Sequence, residues 1–170
     1  MKSYNPYLKT ALTRKSLSVP MRELMNLELF NGKCIDIGCG NGNDVEFLKQ
    51  LNVNIVGYDK YNLKFKNDEL LNNTYDMVTC NYVFNVISKQ EHKVLLEQIK
   101  RLSDNIYISV RSDFKAIKEN WKYIDEYDCW LTPKKSYQRF YTKETIKEYF
   151  GEVEYLISNN SLRLFNLKLN

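Results

Sequence analysis

The sequence predicts an α/β fold: a doubly wound, mostly parallel sheet with an antiparallel hairpin at its C-terminal end. Three observations carry that expectation. Apolar runs of strand length alternate with segments of helical periodicity along most of the chain. The first strand runs into a glycine turn, Gly38-Cys39-Gly40, that opens a helix. The last two apolar runs, 153–157 and 162–169, are separated by residues 158–161 only, a link short enough for a hairpin.

Taken in order, Asn5, Pro6 and Pro20 break up the first twenty residues, so 1–19 reads as an arm with at most a short helix near 8–12. Pro20 after Ser18 suits a first helical turn, and Met21, Leu24, Met25 and Leu29 continue at helical spacing to Phe30, where Asn31 and Gly32 end the helix. Residues 33–37 form a strand, the glycine turn follows, and Val45, Phe47, Leu48 and Leu51 mark a helix. A second strand over 53–58 ends at Asp59, which completes a βαβ unit with a right-handed crossover. Residues 75–80 form a strand, 89–102 a helix with Val94, Leu95, Ile99 and Leu102 inward, and 106–110 a strand. The link over 60–75 is too short for a helix, a strand and a return helix, which predicts a trimmed sheet. Beyond Val110 the pattern predicts a helix over 114–123, a hairpin of 129–131 with 137–141, and a helix from Thr142 to Phe150 closed by Gly151.

A chain of 170 residues, 44% hydrophobic and 27% charged, reads as one globular domain spanning 1–170, able to bury roughly 70% of its unfolded surface. No apolar run has the length of a membrane span, and the first residues lack the apolar core of a secretory signal, so no membrane and a cytoplasmic location are expected. The four cysteines lack metal-site spacing and read as reduced thiols; no metal is expected. The lone histidine, His92, sits between Glu91 and Lys93 and reads as a surface residue, which argues against histidine-dependent hydrolysis.

The net charge of +4 is unevenly spread. Lys2, Lys9, Arg14, Lys15 and Arg22 make the start basic with no acidic residue, and Lys134, Lys135, Arg139 and Lys143 form a second cluster interleaved with Tyr137, Phe140 and Tyr141. Basic and aromatic residues together could hold phosphates and stack bases, which makes nucleic acid a candidate partner; solvated loops are the competing reading, and charge alone favours them.

The sharpest chemistry lies at Asp36-Ile37-Gly38-Cys39-Gly40-Asn41-Gly42-Asn43-Asp44, with Asp59 21 residues after Gly38. Glycines let a ligand approach the backbone at the following helix N-terminus, and a carboxylate at the end of the second strand can accept hydrogen bonds from a ribose diol. The pattern predicts a nucleoside cofactor. A dinucleotide fingerprint wants glycine where Asn43 stands, which weakens a nicotinamide-dependent oxidoreductase, the alternative enzyme class. A non-catalytic nucleic-acid or partner-binding module on the same fold is the third reading.

Asp36, Gly38 and Gly40 resemble the first motif of class I S-adenosylmethionine-dependent methyltransferases, a Rossmann-like family whose seven-stranded sheet also ends in an antiparallel hairpin. The resemblance implies S-adenosylmethionine as cofactor, with Asp36 organising its methionine end and Asp59 its ribose. It places the cofactor site at Asp36, Gly38, Cys39, Gly40, Asn43, Asp44, Asp59, Lys60, Asn81 and Tyr82. It sets Asn81 and Tyr82 beside the sulfonium, and Asn85, Arg111, Gln138 and Tyr141 are expected with them near the acceptor, against an equal reading of Asn85 as a helix cap, Arg111 as a strand-end charge and Gln138 and Tyr141 as a hairpin pair. Segment 75–87 lacks the paired prolines of DNA amino-methyltransferases and the Pro-Cys nucleophile of cytosine C5 enzymes. A narrower resemblance, over 10–15, 81–87, 108–111 and 137–142, is to methyltransferases associated with DNA phosphorothioation systems; it names no acceptor. The arm over 1–19 and an inserted segment over 112–142 are expected to flank the cleft, the latter as a lid or substrate segment, because ligands of open α/β sheets bind at the strands' carboxyl ends.

Overall fold

The computed structural model describes residues 10, 11 and 13–169; Lys2, Lys9 and the greater part of the helix expected near 8–12 lie outside the described residues. Helix α1 (Val19–Asn26) carries Pro20 in its first turn and buries Met21 and Leu24. It stops short of Phe30 because Glu28 takes a left-handed φ of 53° and the Leu29 N–H returns to the Leu24 carbonyl, closing the helix end locally.

Strand β1 (Cys34–Ile37), helix α2 (Asn43–Gln50) and strand β2 (Ile55–Tyr58) form the expected βαβ unit, with β1 and β2 parallel from Cys34 opposite Ile55 to Ile37 opposite Tyr58. Only a 3-10 turn, Asp68–Asn72, lies between β2 and β3 (Met77–Asn81), so the sheet is trimmed as its sequence implies. Helix α3 (Lys89–Leu102) opens with a capping box in which Ser88 and Glu91 satisfy each other's backbone N–H. Strand β4 (Ile106–Arg111) follows.

Residues 112–142 depart from expectation. The helix predicted over 114–123 does not form: a 3-10 turn at Phe114–Ala116 precedes strand β5 (Lys122–Ile124), which pairs with β6 (Cys129–Leu131) and β7 (Tyr137–Gln138) in a separate three-stranded sheet. Tyr123 lies opposite Trp130 with ring centroids 5.2 Å apart, and this cross-strand aromatic pair outweighs the helical spacing of Phe114, Ile117 and Trp121. The predicted 129–141 hairpin pairs only as far as Gln138, because Phe140 and Tyr141 turn into the core.

Helix α4 (Lys143–Phe150) has its own capping box, Thr142 with Thr145, and ends at Gly151. Strands β8 (Val153–Ser158) and β9 (Leu162–Leu167) make the antiparallel hairpin, and the main sheet has the order β2-β1-β3-β4-β9-β8. Apolar side chains pack on both faces: Met21, Leu24, Leu48 and Met77 in one cluster, Phe84, Ile99, Phe150 and Phe165 in the other. Each such side chain contributes on the order of 1.5–3 kcal/mol by leaving water. Among the described residues no helix is long and apolar enough to cross a membrane, and the four cysteines are free thiols.

Helix α3 is rotated from its expected setting. His92, read as a surface residue, is only 2% exposed, its ring centroid 4.4 Å from that of Phe84 and 4.6 Å from that of Tyr149. Val94, read as inward, is 70% exposed. Aromatic rings from the loop after β3 and from α4 draw the imidazole in. Burial, with Arg139 nearby, pulls its pKa down to about 3 and keeps it neutral. Below about pH 6.5 the unfolded chain takes up a proton that the folded chain refuses until about pH 3. Stability is therefore full above pH 6.5 and falls as the pH drops through that window, by roughly 1–3 kcal/mol for this one group. Urea unfolding at pH 7.5 and 4.5 measures it, and His92→Phe should flatten that part of the profile.

Candidate active site

At the end of β1 the chain bends through Gly38 and Gly40, with φ of 74° and 57°, a region that side-chain-bearing residues rarely enter. A Cβ at Gly38 would collide with Val83 Cγ2. The Gly38 and Cys39 N–H groups both donate to the Tyr58 carbonyl, at 2.7 and 3.1 Å, which ties the turn to β2. Asp59, just past β2, faces the same turn: its Oδ2 accepts from Gly40 N at 2.9 Å, and its Oδ1 accepts from Tyr61 N at 2.9 Å and Asn62 N at 3.0 Å. Asn62 Nδ2 donates to the Gly40 carbonyl at 2.7 Å, so both sides of the Gly40 peptide are held.

Beside this turn, at the carboxyl ends of β1 to β4, lies an open cleft of about 1970 Å³. Small-molecule sites run about 300–1,000 Å³, so a nucleoside and a second molecule fit together. Asp36, Gly38, Cys39, Gly40, Asp44, Asp59 and Lys60 line one part of it; Asn81, Tyr82, Asn85 and Arg111 line another. Asn43 does not line it: its Oδ1 accepts from Arg14 N at 2.9 Å, and the neighbouring Asp44 accepts from Ser18 N at 2.7 Å, so the start of α2 anchors the arm.

Asp36 is 4% exposed and accepts from Thr79 Oγ1 at 2.8 Å. Burial pushes its pKa up to about 8, against the Thr79 hydroxyl and with repulsion from Asp44 and Asp59. The Asn81 Nδ2 donor beside it is buried without a full hydrogen bond among the described residues, although the amide still favours the carboxylate's charge. A buried acid and an orphaned donor on the cleft wall are what a polar ligand with a cationic group would complete. Burial also pushes up the Cys39 thiol, which makes it a poor nucleophile.

Residues 12–156 match the Methyltransferase domain family. The chain belongs to that family. Membership of a methyltransferase family sets aside the nicotinamide alternative. None of the curated proteins matches the sequence. Among solved structures, TehB from Haemophilus influenzae is similar at a TM-score of 0.61 and 15% identity over 91% of the methyltransferase, which spans 64% of TehB. A Burkholderia thailandensis 1,6-didemethyltoxoflavin-N1-methyltransferase with bound 1,6-didemethyltoxoflavin and S-adenosylhomocysteine gives 0.60 and 10% identity, covering 88% of this chain and 76% of that one. A Bacteroides fragilis S-adenosylmethionine-dependent methyltransferase with S-adenosylhomocysteine gives 0.57 and 15%, covering 92% and 80%. At these identities the likeness is one of fold.

Two expectations for the acceptor end of the methyltransferase are corrected. Tyr141 is fully buried, its hydroxyl donating to the Phe84 carbonyl at 2.9 Å, and it does not reach the cleft. Arg139 is no part of a basic surface: it is 4% exposed, with Nε donating to the Asp128 carbonyl at 2.7 Å and a further bond to the Tyr127 carbonyl. With Phe140 buried as well, the 134–143 cluster offers no stacking platform of the kind its sequence suggested. Asn85 is buried and structural in its contacts; its Oδ1 accepts from Arg111 N at 3.1 Å and its Nδ2 donates to the Arg139 carbonyl. The sequence reading missed Asn62, Asp113 and the 159–161 turn, and did not place Arg14 in the site. Topology could have found the turn: β9 runs antiparallel to β4 with Leu162 opposite Arg111, so the hairpin tip must lie at the end of β4.

Proposed function

We propose that S-adenosylmethionine binds across the ends of β1, β2 and β3, and that its methyl group passes to a second molecule held between Tyr82 and Arg111. The observation that carries this reading is the pairing of the glycine turn with Asp59 on one wall of the cleft, joined by the Gly40 N to Asp59 Oδ2 bond of 2.9 Å. When bound, the cofactor supplies an electrophilic methyl group on a positively charged sulfur. Asp59 holds the ribose hydroxyls. Asp36 and the Asn81 amide would hold its amino-acid end, Gly38, Cys39 and Gly40 would let it approach the backbone, and Lys60 would contact the nucleoside part; Asp44 holds the arm through the Ser18 N–H.

In-line displacement needs little covalent help, so alignment carries much of the rate. Tyr82 is aimed into the cleft by a left-handed φ of 61° at the end of β3, a strained setting of the kind that marks functional positions. Burial raises its pKa despite Arg14 and Arg111, so the phenol stays protonated and donates a hydrogen bond rather than acting as a base. Asn85 is a positioning residue that fixes the backbone of Arg111. The segment over 112–142 brings Asp113 and Gln138 to the cleft, which supports its reading as a substrate segment within a single domain. The segments resembling methyltransferases of DNA phosphorothioation systems we take as kinship, with no acceptor drawn from it.

Calorimetric titration of the full chain with S-adenosylhomocysteine tests the reading: saturable binding is expected, and absence of heat would reject it. Tritiated methyl transfer into fractionated cell extract separates an enzyme from a binding module. Gly38→Ala should lower stability by about 1–3 kcal/mol and weaken cofactor binding at least tenfold, since a methyl there meets Val83 in a left-handed backbone. Thermal unfolding and the same titration measure both effects.

A further inference from the structure

The cleft is divided by charge. Asp36, Asp44 and Asp59 gather near the glycine turn, whereas Arg14 and Arg111 both bear on the Tyr82 phenol, with Asp44 opposing them. Among the described residues neither arginine forms an ion pair, although Asp113 lines the same cleft. Arg111 is held in place without being neutralised. Its Nη1 donates to Gln138 Oε1 at 3.2 Å, and its guanidinium lies 4.9 Å from the centroid of the Phe140 ring. Stacking fixes the plane of the fork while one donor goes to Gln138, so further N–H groups remain for a planar or tetrahedral oxyanion. Arg14 lines the same cleft, its backbone fixed by Asn43.

We infer that Arg111, with Arg14 beside the same phenol, binds an oxyanion on the methyl acceptor, making the acceptor a small acid with a carboxylate or phosphate near the atom methylated. The inference rests on the reading of this cleft as the methyl-transfer site. A nucleic-acid strand fits the walls poorly: Asp44, Asp59, Asp68, Glu91 and Asp113 outnumber the lining's Arg14, Lys60 and Arg111, so a polyanion along the cleft meets repulsion outside the two-arginine pocket.

The test is calorimetry on the full chain, with and without saturating S-adenosylhomocysteine, using benzoate, phenyl phosphate and neutral benzamide as probes. At least one anion should bind, benzamide at least tenfold more weakly. R111Q should weaken that anion at least tenfold while the affinity for S-adenosylhomocysteine stays within threefold. R111K, which keeps the charge and loses the fork, should fall between, and R14Q should weaken the anion in the same direction; these two variants carry the test if R111Q fails to fold. Stronger binding of benzoate or of phenyl phosphate tells which oxyanion the pocket takes. Benzamide binding as well as the anions, anion affinity unchanged in R111Q, or an oligonucleotide binding below the concentrations of either probe with steep salt dependence would overturn the inference. Arginine-dependent anion binding in a chain that ignores S-adenosylhomocysteine supports the anion site and rejects the donor reading alone.

Discussion

Asp36→Asn should melt higher than the natural chain in the absence of ligand at pH 7.5, and bind S-adenosylhomocysteine about tenfold more weakly. The two effects have one cause. The carboxyl is buried, near Asp44 and Asp59, and titrates at about 8 when folded but near its ordinary value of 3.8 when unfolded. Between those values the folded chain holds a proton that the unfolded chain has released, so folding stability falls as the pH rises through that window. Asparagine keeps the shape and the acceptor for Thr79 Oγ1 and has nothing to titrate. A gain of about 2–6 °C is expected, in line with one or two kcal/mol in a chain of this size. A cationic ligand group reverses the balance by pairing with the ionised carboxylate, which the amide cannot do. The natural chain should accordingly bind more tightly as the pH rises from about 6 to 9, and the variant should show a flat profile. Scanning calorimetry and titrations at both ends of that range read this out; a lower melting point together with unchanged affinity would mean that Asp36 is an ordinary structural residue.

Asp59→Ala should lose at least tenfold in affinity for S-adenosylhomocysteine and lose stability as well. A carboxylate offers about four acceptor positions, and Gly40, Tyr61 and Asn62 take three of them through their N–H groups. One remains for a ribose hydroxyl, and a second hydroxyl needs the Gly40 N–H to yield. The truncation leaves three backbone donors to find water and removes charge-assisted bonds to the ligand, each worth about 1.5–3 kcal/mol. Asp59→Asn keeps one acceptor oxygen and should fall between. Equal affinities across the three chains would place the ribose elsewhere.

The βαβ unit, the glycine turn, the helix start at Thr142 and the final hairpin were legible because local rules decide them. Thr142 caps the helix it opens, and Gly38 takes a left-handed turn in which a Cβ would meet Val83. Asp36 and Asp59 were found for the same reason, each next to the end of an apolar run. What stayed hidden depends on partners distant in the chain. His92 looks polar among its neighbours, yet rings 8 and 57 or more residues away enclose it, from Phe84, Tyr149 and Phe150. Tyr141 read as an acceptor-side residue and Arg139 as part of a basic cluster, but the Phe84, Tyr127 and Asp128 carbonyls draw them inside. Segment 112–142 misled because short strands paired through aromatic contacts carry little periodicity of their own.

Among the described residues β2 is the outermost member of the main sheet on its side, with no strand paired along its free edge. Such a border invites self-association through stray strand pairing. Here it is only four residues long, which leaves little template for a neighbour to copy. Brevity thus guards the open border, and an engineered extension of that ribbon would be the first change to make concentrated preparations stick together.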